Sequence, residues 1–313
     1  FRAGSVTSNQ WDDVVTGPYS FAAGYNCIAG NSSFASGKDC TADGNYAIAL
    51  GRKSQASGQG IYPSGTSVAL GDSNTVKTSR SVAIGRGNFI DIVNGSSRIT
   101  IGTTNKITET QCLAIGTNCN GSGRGVMMLG CNISANAKNG GFIFSDASSS
   151  ITNSVTNFQF IVKASGGIIF YTDPQNTMGV MLPAGGGSWA NVSDRTKKEN
   201  FFLVDEEAIL VKIEKLSIKS WSYKTQQNSI KHIGPLAQDF YKLFQIGEDK
   251  KSISTTDMDG IILAGVKALY KRIKQISVLT ETAELSRRAD LLDNMDDLNS
   301  RLDAIEKQLE HKR

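Results

Sequence analysis

The stretch Ser67-Val-Ala-Leu-Gly-Asp-Ser-Asn-Thr-Val-Lys-Thr-Ser-Arg-Ser-Val-Ala-Ile-Gly85 writes one five-residue run twice, 14 residues apart, with only Leu70 exchanged for Ile84. Reading outward, the run recurs as Tyr46-Ala-Ile-Ala-Leu-Gly51, Arg98-Ile-Thr-Ile-Gly102, Cys112-Leu-Ala-Ile-Gly116 and Val126-Met-Met-Leu-Gly130, with weaker copies ending at Gly24 and Gly37. The closing glycines are spaced by 13, 14, 20, 14, 17, 14 and 14 residues, so one unit repeats with loop insertions. Each run alternates, placing Val68 and Leu70 on one face of a strand and Ala69 on the other. The following Gly permits a turn at positive φ, and the Asn, Ser and Thr between runs are turn formers. One unit cannot bury its apolar face alone, whereas stacked units can, so a β-roll or β-solenoid is expected. The alanine face would then be a tightly packed interior or a close subunit contact.

Over residues 17–135 this pattern resembles the head of trimeric autotransporter adhesins, whose repeat reads Ser-Val-Ala-Ile-Gly followed by polar residues. The resemblance implies a left-handed parallel β-roll, three chains side by side, and binding of a cell-surface receptor or glycan. A Gly/Ser linker would not keep an apolar strand at fixed period. The five Cys (Cys27, Cys40, Cys112, Cys119, Cys131) show no metal-ligand spacing. They read as small buried hydrophobes, and their odd number argues against a fully paired disulfide framework.

Residues 139–187 change character. Phe142-Ile-Phe144, Phe158-Gln-Phe-Ile-Val162, Gly167-Ile-Ile-Phe-Tyr171 and Gly179-Val-Met-Leu182 read as short strands of a β-stem, and Pro183-Ala-Gly-Gly-Gly-Ser188 as a hinge. Composition then breaks. Of the 32 Gly, 28 precede residue 190; that part holds 12 Lys+Arg and 9 Asp+Glu, against 21 and 20 in the remaining 123 residues. The formal net charge of +4 comes without a basic run, which argues against nucleic acid as a partner. No run approaches the ~18 apolar residues of a membrane span, so membrane insertion is not expected. Opening at Phe1 without an apolar leader, the chain reads as a fragment or processed product, and targeting is not legible. No phosphate-binding loop or cluster of His and carboxylates is present, and no cofactor or metal is expected. The sequons at Asn31 and Asn94 matter only for a chain that passes through a eukaryotic secretory route.

At the break stands Trp189-Ala-Asn-Val-Ser-Asp-Arg-Thr-Lys-Lys-Glu-Asn200, followed by Trp221-Ser-Tyr223, His232-Ile-Gly-Pro-Leu-Ala-Gln-Asp-Phe240 and Ile253-Ser-Thr-Thr-Asp-Met-Asp-Gly260. Across 188–280 these motifs resemble the intramolecular chaperone domain of phage tail spikes and fibres, of which endosialidases are the founding examples and to which a domain of the myelin regulatory factor is related. The resemblance implies autoproteolysis by a Ser–Lys dyad, a self-cleaving serine endopeptidase acting once in cis. Carried over, Ser193 is the nucleophile, Lys198 the base and Val192–Ser193 the scissile bond. Asp194, Asn200 and His232 are possible supporting residues, with Lys197 the rival base. A serine hydroxyl needs an adjacent base, and a lysine serves only when burial or a neighbouring cation lowers its pKa. Ser or Asp before a charged stretch is also an ordinary helix N-cap signal. His232 likewise reads as a structural histidine at a strand end.

Asp205 is a candidate N-cap for an amphipathic helix through Leu216, Ser217–Tyr223 reads as a strand, and Pro235 begins a helix through Phe244. From Ile261 a long helix carries Leu291, Met295, Leu298, Leu302, Ile305 and Leu309 at alternating steps of 4 and 3, a coiled-coil seam. The expectation is a multidomain chain: an all-β trimeric β-roll (1–138), a β-stem and hinge (139–187), an α+β chaperone and autoprotease domain (188–260) and a trimeric coiled coil (261–313). It would be a homotrimeric fibre or adhesin, on a virion tail or an extracellular surface, whose chaperone promotes trimerisation and then releases itself. The alternative is a non-cleaving surface adhesin that keeps its C-terminal part as a permanent trimerisation foot.

Overall fold

The computed structural model describes residues 1–59, 66–91 and 97–310, apart from the side chains of 59 and 308–310. Asn94 and the side chain of Leu309 lie outside the described residues. The chain divides into two compact units, Phe1–Val192 and Ser193–Arg313. Among the described residues no helix is long and apolar enough to cross a membrane.

The first unit contains a parallel β-solenoid. The repeated runs form one arm of each turn, and their strands pair in strict register: Val68 lies beside Val82 and that beside Ile99, while Gly71, Gly85 and Gly102 form another line. The closing glycines from Gly24 to Gly130 have φ between 109° and 140°. At Gly85 an added Cβ would also overlap the carbonyl oxygen of Gly102 in the next turn. Conformation and close approach thus both require glycine there.

The ladder is longer than the sequence pattern at both ends. Arg2–Ser5 pairs with Phe21–Tyr25, and Gly4 shares the corner conformation at φ 127°. The residues between loop out and return, with Trp11 packed on the core and its Nε1 donating to Cys27 O at 3.2 Å. Beyond 138, Phe142–Ser145 and Phe160–Lys163 continue the parallel ladder, with Ser145 and Lys163 where a glycine would mark the repeat. Residues 139–163 therefore extend the solenoid. Only Ile168–Tyr171, Gly179–Leu182 and Ala190–Asn191 form the separate antiparallel sheet of a stem.

The interior is lined by the small residues. Ala22, Ala35, Ala49, Ala69, Ala83 and Ala114 are fully buried on one arm, facing Ala29, Ala42, Ala56, Val76, Ile90 and Ile107 from the other. Where Met128 replaces alanine, the preceding turn supplies Gly121 on the second arm, whose added Cβ would lie 3.1 Å from Met128 Cε. The Met128 side chain thus occupies the space that Gly121 leaves open, as close packing demands. Stacking thus buries the alanine column and leaves the larger one outside. Ile84, Ile99, Ile101, Met127 and Leu129 remain 37–43% exposed, so the expectation that stacking would bury the Val/Ile/Leu face is corrected.

A second interior column lies three residues after the closing glycines from Gly24 to Gly116. It contains Cys27, Cys40, Ser54, Asn74, Asn88, Asn105 and Cys119, all buried. Each donates to the corner carbonyl of the next turn: Ser54 Oγ to Gly71 O at 3.0 Å, Asn88 Nδ2 to Gly102 O at 2.8 Å, Cys119 Sγ to Gly130 O at 3.4 Å. The Asn side chains also bond one another, Asn88 Nδ2 donating to Asn74 Oδ1 at 3.0 Å. The cysteines are unbridged; Cys27, Cys40, Cys112 and Cys119 are buried, and burial pushes the Cys119 thiol up to about 11.

In the second unit α1 (Glu206–Lys215) starts at Asp205, whose Oδ1 accepts from Ala208 N at 3.0 Å. α2 spans Ala237–Phe244, and α3 spans Thr255–Glu310. The long helix starts before residue 261, because the Ser254 carbonyl accepts the first turn's bond from Met258 N at 3.1 Å; Gly260 falls inside it. Ile209, Leu216, Phe240, Phe244 and Ile261 form the core. Gly265 admits Ile213, whose Cδ1 would lie 2.5 Å from an added Cβ. Glu206 ties α1 to α3 through Lys267 at 2.5 Å and Lys271 at 2.6 Å. After Ala268 every described side chain of α3 is exposed. Its 56 residues make a rod of about 84 Å.

Candidate active site

The sheet of the first unit ends at Asn191, and Val192 follows it, 39% exposed. Ser193 opens the second unit. Asp194 then caps a 3-10 turn over Arg195–Lys197: its Oδ1 accepts from Thr196 N at 2.8 Å, and its carbonyl accepts from Lys197 N at 3.1 Å. The turn closes when Lys198 N donates to Arg195 O at 3.2 Å. Lys198 is back in extended conformation, at φ −127° and ψ 151°. Its side chain reaches over the turn, and Nζ donates to Ser193 Oγ at 2.8 Å. The two groups that the motif pairs are thus in direct contact. Lys197 instead lies in the field of Asp194, whose carboxyl is held below the usual carboxylate range, first by the Thr196 backbone N–H and then by the Thr196 hydroxyl and Lys197.

Chemically the pair is a hydroxyl and an amine at proton-transfer distance. In the arrangement seen, the ammonium donates to the hydroxyl oxygen. For general-base work the amine must be neutral and accept the Oγ proton. Both side chains are exposed, so water surrounds them in the single chain.

The other expected residues are placed differently. Asn200 has a left-handed backbone, φ 57°, which turns the chain out of the motif, and it does not join the Ser193–Lys198 bond. His232 lies opposite Trp221 in the hairpin formed by Lys219–Trp221 and His232–Gly234. It stacks on the Trp221 ring at 4.7 Å and meets Tyr223 edge-on at 5.5 Å, and Gln226 Oε1 lies 2.9 Å from its Nε2. Those contacts fit the structural reading of a histidine at a strand end. Gln226, its polar partner, carries no signal in the sequence that would have found it.

Residues 193–245 match the model of the peptidase family described as the chaperone of endosialidase. No curated protein matches the chain. The matched segment begins at Ser193, where the structure also divides, and runs to Gln245, the left-handed C-cap of α2. The chain thus carries a segment similar to the chaperone of endosialidase, which follows at Ser193 the unit that contains the parallel β-solenoid.

Proposed function

We propose that the protein is a trimeric fibre or adhesin whose C-terminal unit is an intramolecular chaperone that drives assembly and then cuts itself away at Val192–Ser193. The observation that carries the reading is the 2.8 Å contact between Lys198 Nζ and Ser193 Oγ, at the residue where the family match begins. Two surfaces support the trimer. The solenoid leaves its Val/Ile/Leu columns half-exposed, and α3 exposes Leu291, Met295, Leu298, Leu302 and Ile305 by 55–61%. Apolar stripes of this length in water call for a partner, and a parallel coil along α3 would hold three chains in register. Such a clamp suits a solenoid whose turns contact only their neighbours, because it fixes the register of three chains that the turns of one chain do not. The assembled head would then bind a cell-surface receptor or glycan.

Assembly precedes the cut in this reading, because covering the dyad lets Lys198 act as a neutral base. Lys198 takes the Ser193 Oγ proton as Oγ attacks the Val192 carbonyl carbon. The C–N bond breaks, the proton passes to the Ser193 nitrogen, and an ester joins Val192 to Oγ. Water then cleaves the ester, leaving a Val192 carboxylate and a Ser193 bearing free amine and hydroxyl. Ser193→Ala should give one full-length band on a denaturing gel, and Lys197→Gln should split like the wild type. A Ser193→Ala chain that still splits at this bond would remove the dyad. A wild type that trimerises and never splits would instead support the permanent foot.

A further inference from the structure

We infer that Asp194 is the positioning residue of the self-cleaving site, acting through the hydrogen bond of its carboxylate oxygen and not through its charge. The inference rests on the Ser193–Lys198 reading and extends it to the group that holds the pair together. Ser193 and Lys198 are five residues apart, so their contact depends on how the chain folds between them. An extended chain would separate their Cα atoms by about 17 Å. The 3-10 turn shortens that path, yet three residues of 3-10 helix in water have little stability of their own.

What holds this turn is local. The Asp194 carbonyl and carboxylate accept from Lys197 N and Thr196 N, and no residue of the turn is buried. No buried core therefore fixes the turn; Arg195 lies over the Phe201 ring at 5.8 Å, a contact past the turn that does not involve Ser193 or Lys198, and the cap is the restraint inside it. When the cap opens, Lys198 loses its approach to Ser193 while the rest of the unit, whose core is Ile209, Leu216, Phe240, Phe244 and Ile261, is untouched. In this role Asp194 acts through Thr196 N and the path of the chain.

This role makes a prediction that an electrostatic role does not. An Asn side chain offers the same acceptor oxygen without charge and caps as well as Asp, whereas Ala offers none. If the carboxylate acted by its charge on the Lys198 ammonium, Asn and Ala would fail alike. Lys197, the cation beside Asp194, would also then matter to the rate.

The test compares full-length wild type, Asp194→Asn and Asp194→Ala in two readouts. The first is the rate of splitting at Val192–Ser193 on denaturing gels. Wild type and Asp194→Asn should match within about twofold and Asp194→Ala should slow by about tenfold, the loss of one cap. All three should share one thermal unfolding midpoint. The second readout does not depend on cleavage. In a Ser193→Cys background, iodoacetamide labelling of position 193, mapped by mass spectrometry, reports the nearby ammonium through thiolate formation. Labelling should be fast with Asp or Asn at 194 and slower with Ala. If the chain never splits but labelling keeps this order, the proteolytic reading fails and the positioning role stands. Equal labelling in all three backgrounds, or Asp194→Asn falling with Asp194→Ala, would overturn the inference.

Discussion

Asn88 is 1% exposed and sits midway along the interior ladder, which makes it the sharpest probe of how the solenoid is held. Its Nδ2 donates to Gly102 O at 2.8 Å and to Ile84 O at 3.0 Å. Its Oδ1 accepts from Asn105 N at 3.1 Å and from Thr100 Oγ1 at 3.3 Å. Truncation to Ala leaves the Asn105 N–H without an acceptor in a dry interior, and the corner carbonyl loses its side-chain donor. An orphaned buried group costs about 1–3 kcal/mol. With two neighbours affected and a small cavity left behind, Asn88→Ala should destabilise by about 3–5 kcal/mol. Asn88→Ser should cost about half as much, because the hydroxyl can donate to the corner as Ser54 Oγ does to Gly71 O at 3.0 Å. The assay is urea unfolding followed by far-UV circular dichroism at matched protein concentration, since an assembling chain has concentration-dependent stability. A loss below about 1 kcal/mol for Asn88→Ala, or a Ser variant less stable than the Ala variant, would refute the donor column as a stabilising device.

Four further outcomes follow from the same structure. Glu206 is held below the ordinary carboxylate range by hydrogen bonds from Lys267 and then Lys271; a depressed carboxyl stabilises the fold above its unfolded pKa and loses that contribution as pH falls through the folded value. Acid unfolding of the helical unit should therefore shift to higher pH in Glu206→Gln, and the difference should shrink at 1 M salt. Native thiol titration should find Cys27, Cys40, Cys112 and Cys119 unreactive until denaturant is added, with the half-exposed Cys131 reacting first. Cys119→Ser should fold with stability within about 1 kcal/mol of wild type, since Ser already fills this column at Ser54. Leu298→Asp places a charge on the exposed seam of α3 and should lower the mass in solution from trimer to monomer; an unchanged trimer would remove the coil from the assembly.

Much of the solenoid was legible because its two strictest demands are written in residue type. Only glycine tolerates the corner, so Gly24 through Gly130 announce the period, and small residues fill the first arm's interior through Ala114, so alanine marks the buried face there. Those demands relax at the ends. Arg2–Ser5 is too short a copy to read, and Ser145 and Lys163 break the glycine signal while the strand pairing goes on. The polar residues between runs read as turn formers, yet Asn74, Asn88 and Asn105 point inward. The clue was their constant offset from the closing glycine, shared with Cys27, Cys40 and Cys119.

At the site, resemblance suggested Ser193 and Lys198, and ordinary capping rules suggested Asp194. The two signals read as competitors in the sequence and coexist in the structure, where the Asp194 cap and the 2.8 Å Ser193–Lys198 contact stand within one six-residue stretch. The placement of His232 against Trp221 depends on cross-strand pairing, which the sequence does not specify.

The intact mass of the purified wild-type protein, with N-terminal sequencing of each component, tests the central claim most directly. The dyad reading requires two species, one ending at Val192 and one beginning at Ser193, recovered from trimeric material. A single full-length species in a trimer, or a cut at any other bond, would contradict it.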